Sequence, residues 1–130
     1  MKLHADRPMG LNAISRHGPG GVIVNGVELR SSSVIPWQGA VSEWPVARFD
    51  ALREAHFALL ADWDPELVIF GSGARLRFPE AGLLRPLIER RIGVETMDTA
   101  AACRTYNVLL GEGRTVVAAL LFENTATQAP

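Results

Sequence analysis

Only one cysteine, Cys103, occurs in the chain, so no internal disulfide can form and a reducing compartment is expected. The same scarcity removes a zinc motif: His4, His17 and His56 are scattered and share no ligand spacing with Cys103 or with each other. An excess of positive charge is also missing. The formal net charge is −1, which argues against a nucleic-acid binder built on phosphate contacts and supplies no polybasic membrane tether. No apolar run approaches the roughly 20 residues needed to insert across a bilayer. The opening MKLHADRPMG has neither the apolar centre of a secretory signal nor the arginine-rich pattern of a transit peptide. These absences together lead to the expectation of a soluble protein of a bacterial cytoplasm, or of the mitochondrial matrix if the source is eukaryotic, with no metal and no cofactor.

What is present suffices for one core. With 130 residues, 48% of them hydrophobic, the chain is read as a single domain, ordered over about residues 10–122 with flexible ends. The clearest local signal is VIVNGVEL at 22–29, two β-favouring runs around Asn25-Gly26, a pair suited to a type I′ hairpin turn. Strands are expected beside it at 12–16 and 33–35, separated by the break Gly18-Pro19-Gly20-Gly21. Residues 36–45 read as a connector in which Trp37 and Trp44 either anchor the chain to the core or stack on a ligand.

From Asp50 the period changes to that of a helix. Leu52, Ala55, Phe57, Leu59 and Leu60 form its stripe, Asp50 is the expected N-cap, Asp64-Pro65 its end, and His56 is left on the surface. ELVIF at 66–70 reads as a strand covered on both faces. A second helix over 80–91 contains Pro86, which predicts a start near Leu84 or a kink. A strand around Val94 and Thr96 leads to a third helix capped by Asp98 or Thr99. Its stripe is Ala102, Cys103, Tyr106, Leu109 and Leu110, and it is stopped by Gly111 and Gly113. TVVAALLF at 115–122 is the most apolar run and reads as a central strand. The sum is an α/β fold: one three-layer domain, a mixed central sheet flanked by helices, with an N-terminal β-hairpin extension.

In such sheets ligands collect beyond the carboxyl ends of the parallel strands, which selects Gly71-Ser72-Gly73 and the turn at Met97-Asp98-Thr99. A dinucleotide fingerprint would need glycine at position 76, where Leu76 stands, and neither a P-loop nor a Gly-x-Ser-x-Gly elbow is present. Two readings of Gly71-Ser72-Gly73 therefore stay open, a tight turn or an anion site helped by Arg75 or Arg77. Cys103 lies on the buried stripe with no histidine near it in sequence, which reads as packing. Glu95 and Asp98 either flank a cleft, one carboxylate held by helix N–H groups and the other free to titrate, or serve as ion-pair partner and cap. Arg104, Tyr106 and Asn107 carry more polar capacity than a packed helix needs, with Arg104 expected to bridge to Glu95.

The run GVETMDT at 93–99, followed by AACRTYN at 101–107 and Glu112-Gly113-Arg114, resembles the signature of the Mth-type α/β domain family. That family includes the mitochondrial complex I assembly factor 3 and the adipogenesis-associated Mth-type domain protein. The likeness extends from Gly20-Gly21 to Phe122, and Gly71-Ser72-Gly73 resembles the family's Gly-Thr-Gly with serine in place of threonine. The resemblance implies a compact three-layer domain with a β extension and no established activity, and the mitochondrial member implies protein partners in respiratory-complex assembly. Two functions from different classes follow. The first is a non-enzymatic protein-binding or assembly factor. The second is an enzyme or sensor holding a small anionic ligand between Gly71, Ser72, Gly73 and the Asp98–Thr99 helix end, with Arg104 as binder and Glu95 as acid or base.

Overall fold

The computed structural model describes residues 10–123. His4 and the terminal stretches expected to be flexible, apart from Glu123, lie outside them. Three short strands open the fold: β1 (Ile14–Gly18), β2 (Gly21–Val24) and β3 (Val27–Leu29), paired antiparallel in that order. The Asn25-Gly26 turn has φ of 50° and 85°, the two positive values that the type I′ reading requires. The break at Gly18-Pro19-Gly20-Gly21 is itself a hairpin turn, with Gly18 paired to Gly21. The extension is therefore a three-stranded sheet rather than a single hairpin.

The expected strand at 33–35 leaves this sheet. As β4 (Ser33–Pro36) it joins the main one together with β5 (Ser42–Glu43), β6 (Leu67–Gly71), β7 (Gly93–Met97) and β8 (Val116–Leu120), in the order β5-β4-β8-β6-β7. β8 runs parallel to β6 and antiparallel to β4, so the most apolar run of the chain is central, as its composition requires. Alternate residues of each strand serve opposite faces. Val34, Val68, Phe70, Val117 and Ala119 enter one core, while Ile35, Ile69, Val116, Ala118 and Leu120 enter the other.

The first core is covered by α1 (Glu54–Ala58) and α2 (Arg85–Glu89), each continued or preceded by a 3₁₀ turn. The second is covered by α3 (Thr99–Gly111) and by the three-stranded sheet. Pro86 sits in the first turn of α2, so the late start expected from it is what forms. The helix expected from Asp50 is corrected. Phe49–Ala51 is a 3₁₀ turn, Arg53 is extended, and α1 begins only at Glu54, because burying both Phe49 and Leu52 in the first core pulls the chain off a helical path. Asp50 pairs with Arg48 instead of capping, and Ala55 is exposed. His56, expected on the surface, is half-buried: its Nδ1 accepts from the Arg53 N–H at 2.9 Å and its Nε2 lies 3.0 Å from the Pro45 carbonyl.

Trp44 is an anchor. It is buried at the edge of Phe57 and Phe70, with ring centroids at 5.7 and 5.9 Å, and its indole N–H donates to the His56 carbonyl at 3.0 Å. Cys103 is fully buried under α3, and burial pushes its thiol up to about 11 against the smaller opposing pull of Arg104. A thiol reagent near neutral pH is therefore expected to label native protein orders of magnitude more slowly than urea-unfolded protein. Labelling of the native chain at the free-thiol rate would contradict this placement.

Candidate functional site

The carboxyl ends of β6 and β7 meet at Gly71 and Met97, which are partners in the parallel register. Just beyond them the two signature turns lock together. The Ser72 N–H donates to the Met97 carbonyl at 2.8 Å and the Thr99 N–H to the Gly73 carbonyl at 2.9 Å. The Thr99 hydroxyl accepts from the Gly73 N–H at 2.8 Å and donates to the Leu121 carbonyl at 2.9 Å. One buried side chain thus ties the ends of β6 and β8 to the start of α3. Glycine is required at 71 because a Cβ there would stand 2.9 Å from the Thr99 hydroxyl and 3.0 Å from its Cα. Gly73 turns at φ +104°, in the region that side chains disfavour.

Asp98 is the N-cap of α3, its carboxylate accepting from the Ala101 N–H at 2.8 Å. With the Thr99 N–H on Gly73 and the Ala102 N–H on the Asp98 carbonyl, only the Ala100 N–H in this first turn lacks a partner among the described residues. That leaves little for an anion to bind.

Ser72, fully buried, donates its hydroxyl to the Arg75 carbonyl at 2.7 Å and accepts from the Arg77 N–H at 3.0 Å. The Arg77 guanidinium turns inward, donating to the Ser72 carbonyl at 2.7 Å and to Glu123 at 2.6 Å, and it lies over the Phe49 ring at 4.6 Å. The other Glu123 oxygen accepts from the Phe49 N–H at 2.6 Å. Nothing in the sequence singles out Glu123, which reads there as the first residue of a tail. Burial works to raise its carboxyl, but the Phe49 N–H and the Arg77 guanidinium outweigh it and hold the group below the ordinary carboxylate value.

A depressed folded value gives stability that is complete above the unfolded value and is lost as pH falls through the folded one. Wild type is therefore expected to exceed Glu123→Gln in stability by about 1 kcal/mol near neutral pH. The gap should close as pH drops below the ordinary carboxylate value, which urea denaturation at stepped pH would read. A pH-independent gap would contradict the ion-pair assignment.

A cleft of about 520 Å³ opens where these turns face the β1–β2 hairpin. Gly73, Ala74, Asp98, Thr99 and Ala100 form one side, His17, Gly18 and Pro19 the other, and Leu121, Phe122 and Glu123 the rest. Of the nine residues singled out from sequence, Gly73, Asp98 and Thr99 line it, and Gly71 and Ser72 are buried in the turn that precedes Gly73.

The remaining four stand elsewhere. Tyr106 is buried, its hydroxyl donating to the Asn12 carbonyl at 2.6 Å with the Pro36 carbonyl at 3.1 Å, and burial drives its phenol far above the ordinary value. Asn107 grips β1 like a neighbouring strand, accepting from the Ile14 N–H at 3.0 Å and donating to the Ile14 carbonyl at 2.6 Å. Both dock the small sheet onto α3. Glu95, on edge strand β7, and Arg104, on α3, are exposed. The expected bridge between them does not form, and neither lines the cleft.

A family model described as "Protein of unknown function (DUF498/DUF598)" matches residues 14–121. The chain belongs to this family. The bovine NADH dehydrogenase [ubiquinone] 1 alpha subcomplex assembly factor 3 is 34% identical over 110 residues, covering 83% of this chain and 59% of its own length. The chain thus spans about three-fifths of that relative. A crystal structure of a Bordetella parapertussis protein is similar at TM-score 0.83 and 38% identity, covering 88% of this chain and 98% of that one. A solution structure of a Bordetella pertussis protein, a Mth938-like domain, is similar at TM-score 0.79 and 34% identity, covering 95% of this chain and 93% of that one. The three-layer domain with its β extension is thus the family's fold.

Proposed function

We propose that this chain acts as a non-enzymatic, protein-binding assembly factor for a respiratory membrane complex, working from the cytoplasm or, in a eukaryote, the mitochondrial matrix. The observation that carries the reading is the 34% identity to the bovine assembly factor across 83% of this chain. The geometry of the cleft supports it. Gly71, Ser72, Gly73, Asp98 and Thr99 spend their hydrogen-bonding groups largely on holding strand ends and a helix together, and Tyr106 and Asn107 spend theirs on the small sheet. No helix among the described residues is long and apolar enough to cross a membrane, so contact with such a complex would run through surface groups.

The test is deletion of the gene in its native cell, with native gels and NADH oxidation by membranes as readouts. Loss of the assembled NADH dehydrogenase, restored by the wild-type chain, is expected. Normal amounts of assembled complex in the deletion strain would overturn the reading.

A further inference from the structure

Residues 74–79 connect β6 to the turn before α2, and they carry two of the large apolar side chains that the fold leaves in solvent. Phe78 is 69% exposed and Leu76 52%. Between them Arg77 is drawn inward onto Ser72, Glu123 and the Phe49 ring, so alternation along this extended stretch sends Leu76 and Phe78 outward. The segment is braced at three points, since the Ser72 hydroxyl also holds the Arg75 carbonyl. A braced apolar projection has little ordering left to lose on docking.

The cleft begins where this segment begins, at Gly73 and Ala74. Its walls include Pro19, Leu121 and Phe122, and the Ala100 N–H is the single donor of the first turn of α3 left open there among the described residues. Projection and cleft thus lie side by side on one end of the molecule. That is the arrangement a two-fold dimer needs, because each copy can insert its projection into the cleft of the other.

We propose that the chain pairs with a second copy of itself in this way, Leu76 and Phe78 of each copy entering the cleft of its partner. The charges agree. Arg75 on the projection and Asp98 at the cleft have no ion-pair partner among the described residues, and the docking would bring them together across the interface. The two inserted pairs and the walls they cover amount to on the order of 1,000 Å², the threshold of a specific interface, so the dimer is expected to be concentration-dependent. This pairing is independent of the assembly role.

Sedimentation velocity of the full chain from micromolar to millimolar concentration tests it. Wild type is expected to pass from monomer to dimer across that range. Phe78→Ser on the projection and Ala100→Arg on the exposed first turn of α3 should each raise the dissociation constant at least about tenfold with unchanged circular dichroism. Mixing the two variants should restore part of the association, because one intact projection then meets one intact cleft. A wild-type chain that stays monomeric at millimolar concentration overturns the proposal, and so does a dimer that both variants leave intact.

Discussion

Thr99→Val is expected to destabilise the protein by about 2–6 kcal/mol, because it strips the partner from two buried backbone groups at roughly 1–3 kcal/mol each. The Gly73 N–H loses its acceptor at 2.8 Å and the Leu121 carbonyl its donor at 2.9 Å. Valine keeps the volume, so the loss reports hydrogen bonding and not packing. Thr99→Ser retains the hydroxyl and removes one methyl, a change of about 1 kcal/mol. Urea denaturation of the two variants side by side checks this. If valine and serine cost the same, the hydroxyl does not hold the turn, and the account of why this signature position is polar fails. The backbone bond from the Thr99 N–H to Gly73 survives either change, so the fold should persist in both.

Trp44→Ala should cost about 3–5 kcal/mol, the range for removing a large buried aromatic. Trp44 is 1% exposed and meets Phe57 and Phe70 edge-on in the first core. Truncation opens a cavity and also leaves the His56 carbonyl without its indole donor. Trp44→Phe refills most of the space but not the hydrogen bond, and it should recover more than half of the loss. That variant separates the contributions of volume and polarity in one comparison. A Trp44→Ala protein within about 1 kcal/mol of wild type would mean that Trp44 does not pin the connector at residues 36–45.

Much of this architecture is legible in the chain because it rests on local chemistry. Asn25-Gly26 takes the two positive φ values that its residue types favour, Pro86 forbids an earlier start for α2, and Asp98 caps α3 through a bond only three residues long. The two-sided burial of β6 and β8 is written in their unbroken apolar runs. Where reading failed, distant contacts had overruled local pattern. The helix expected from Asp50 shrinks to α1 because Phe49 and Leu52 must reach a core built by β4, β6 and β8. Tyr106 and Asn107, singled out from sequence as candidate cleft residues, hold the small sheet instead. Their partners, Asn12, Ile14 and Pro36, lie between 70 and 94 residues away in sequence, so no spacing could reveal them.

The sequence by itself determined an α/β domain, a mixed sheet with β8 at its heart, a β extension and the family, since these follow from periodicity, turn chemistry and a long specific motif. Only the tertiary structure decided what the signature residues do. Gly71, Gly73 and Thr99 become one interlock when the parallel register sets Gly71 beside Met97 and Leu120. Glu123 becomes the counter-charge of Arg77, 46 residues away, when β8 carries it to the end of β6. The physical reason is the same in both cases. Hydrogen bonds and charge pairs act over about 3 Å, and which groups stand that close is set by strand order and register.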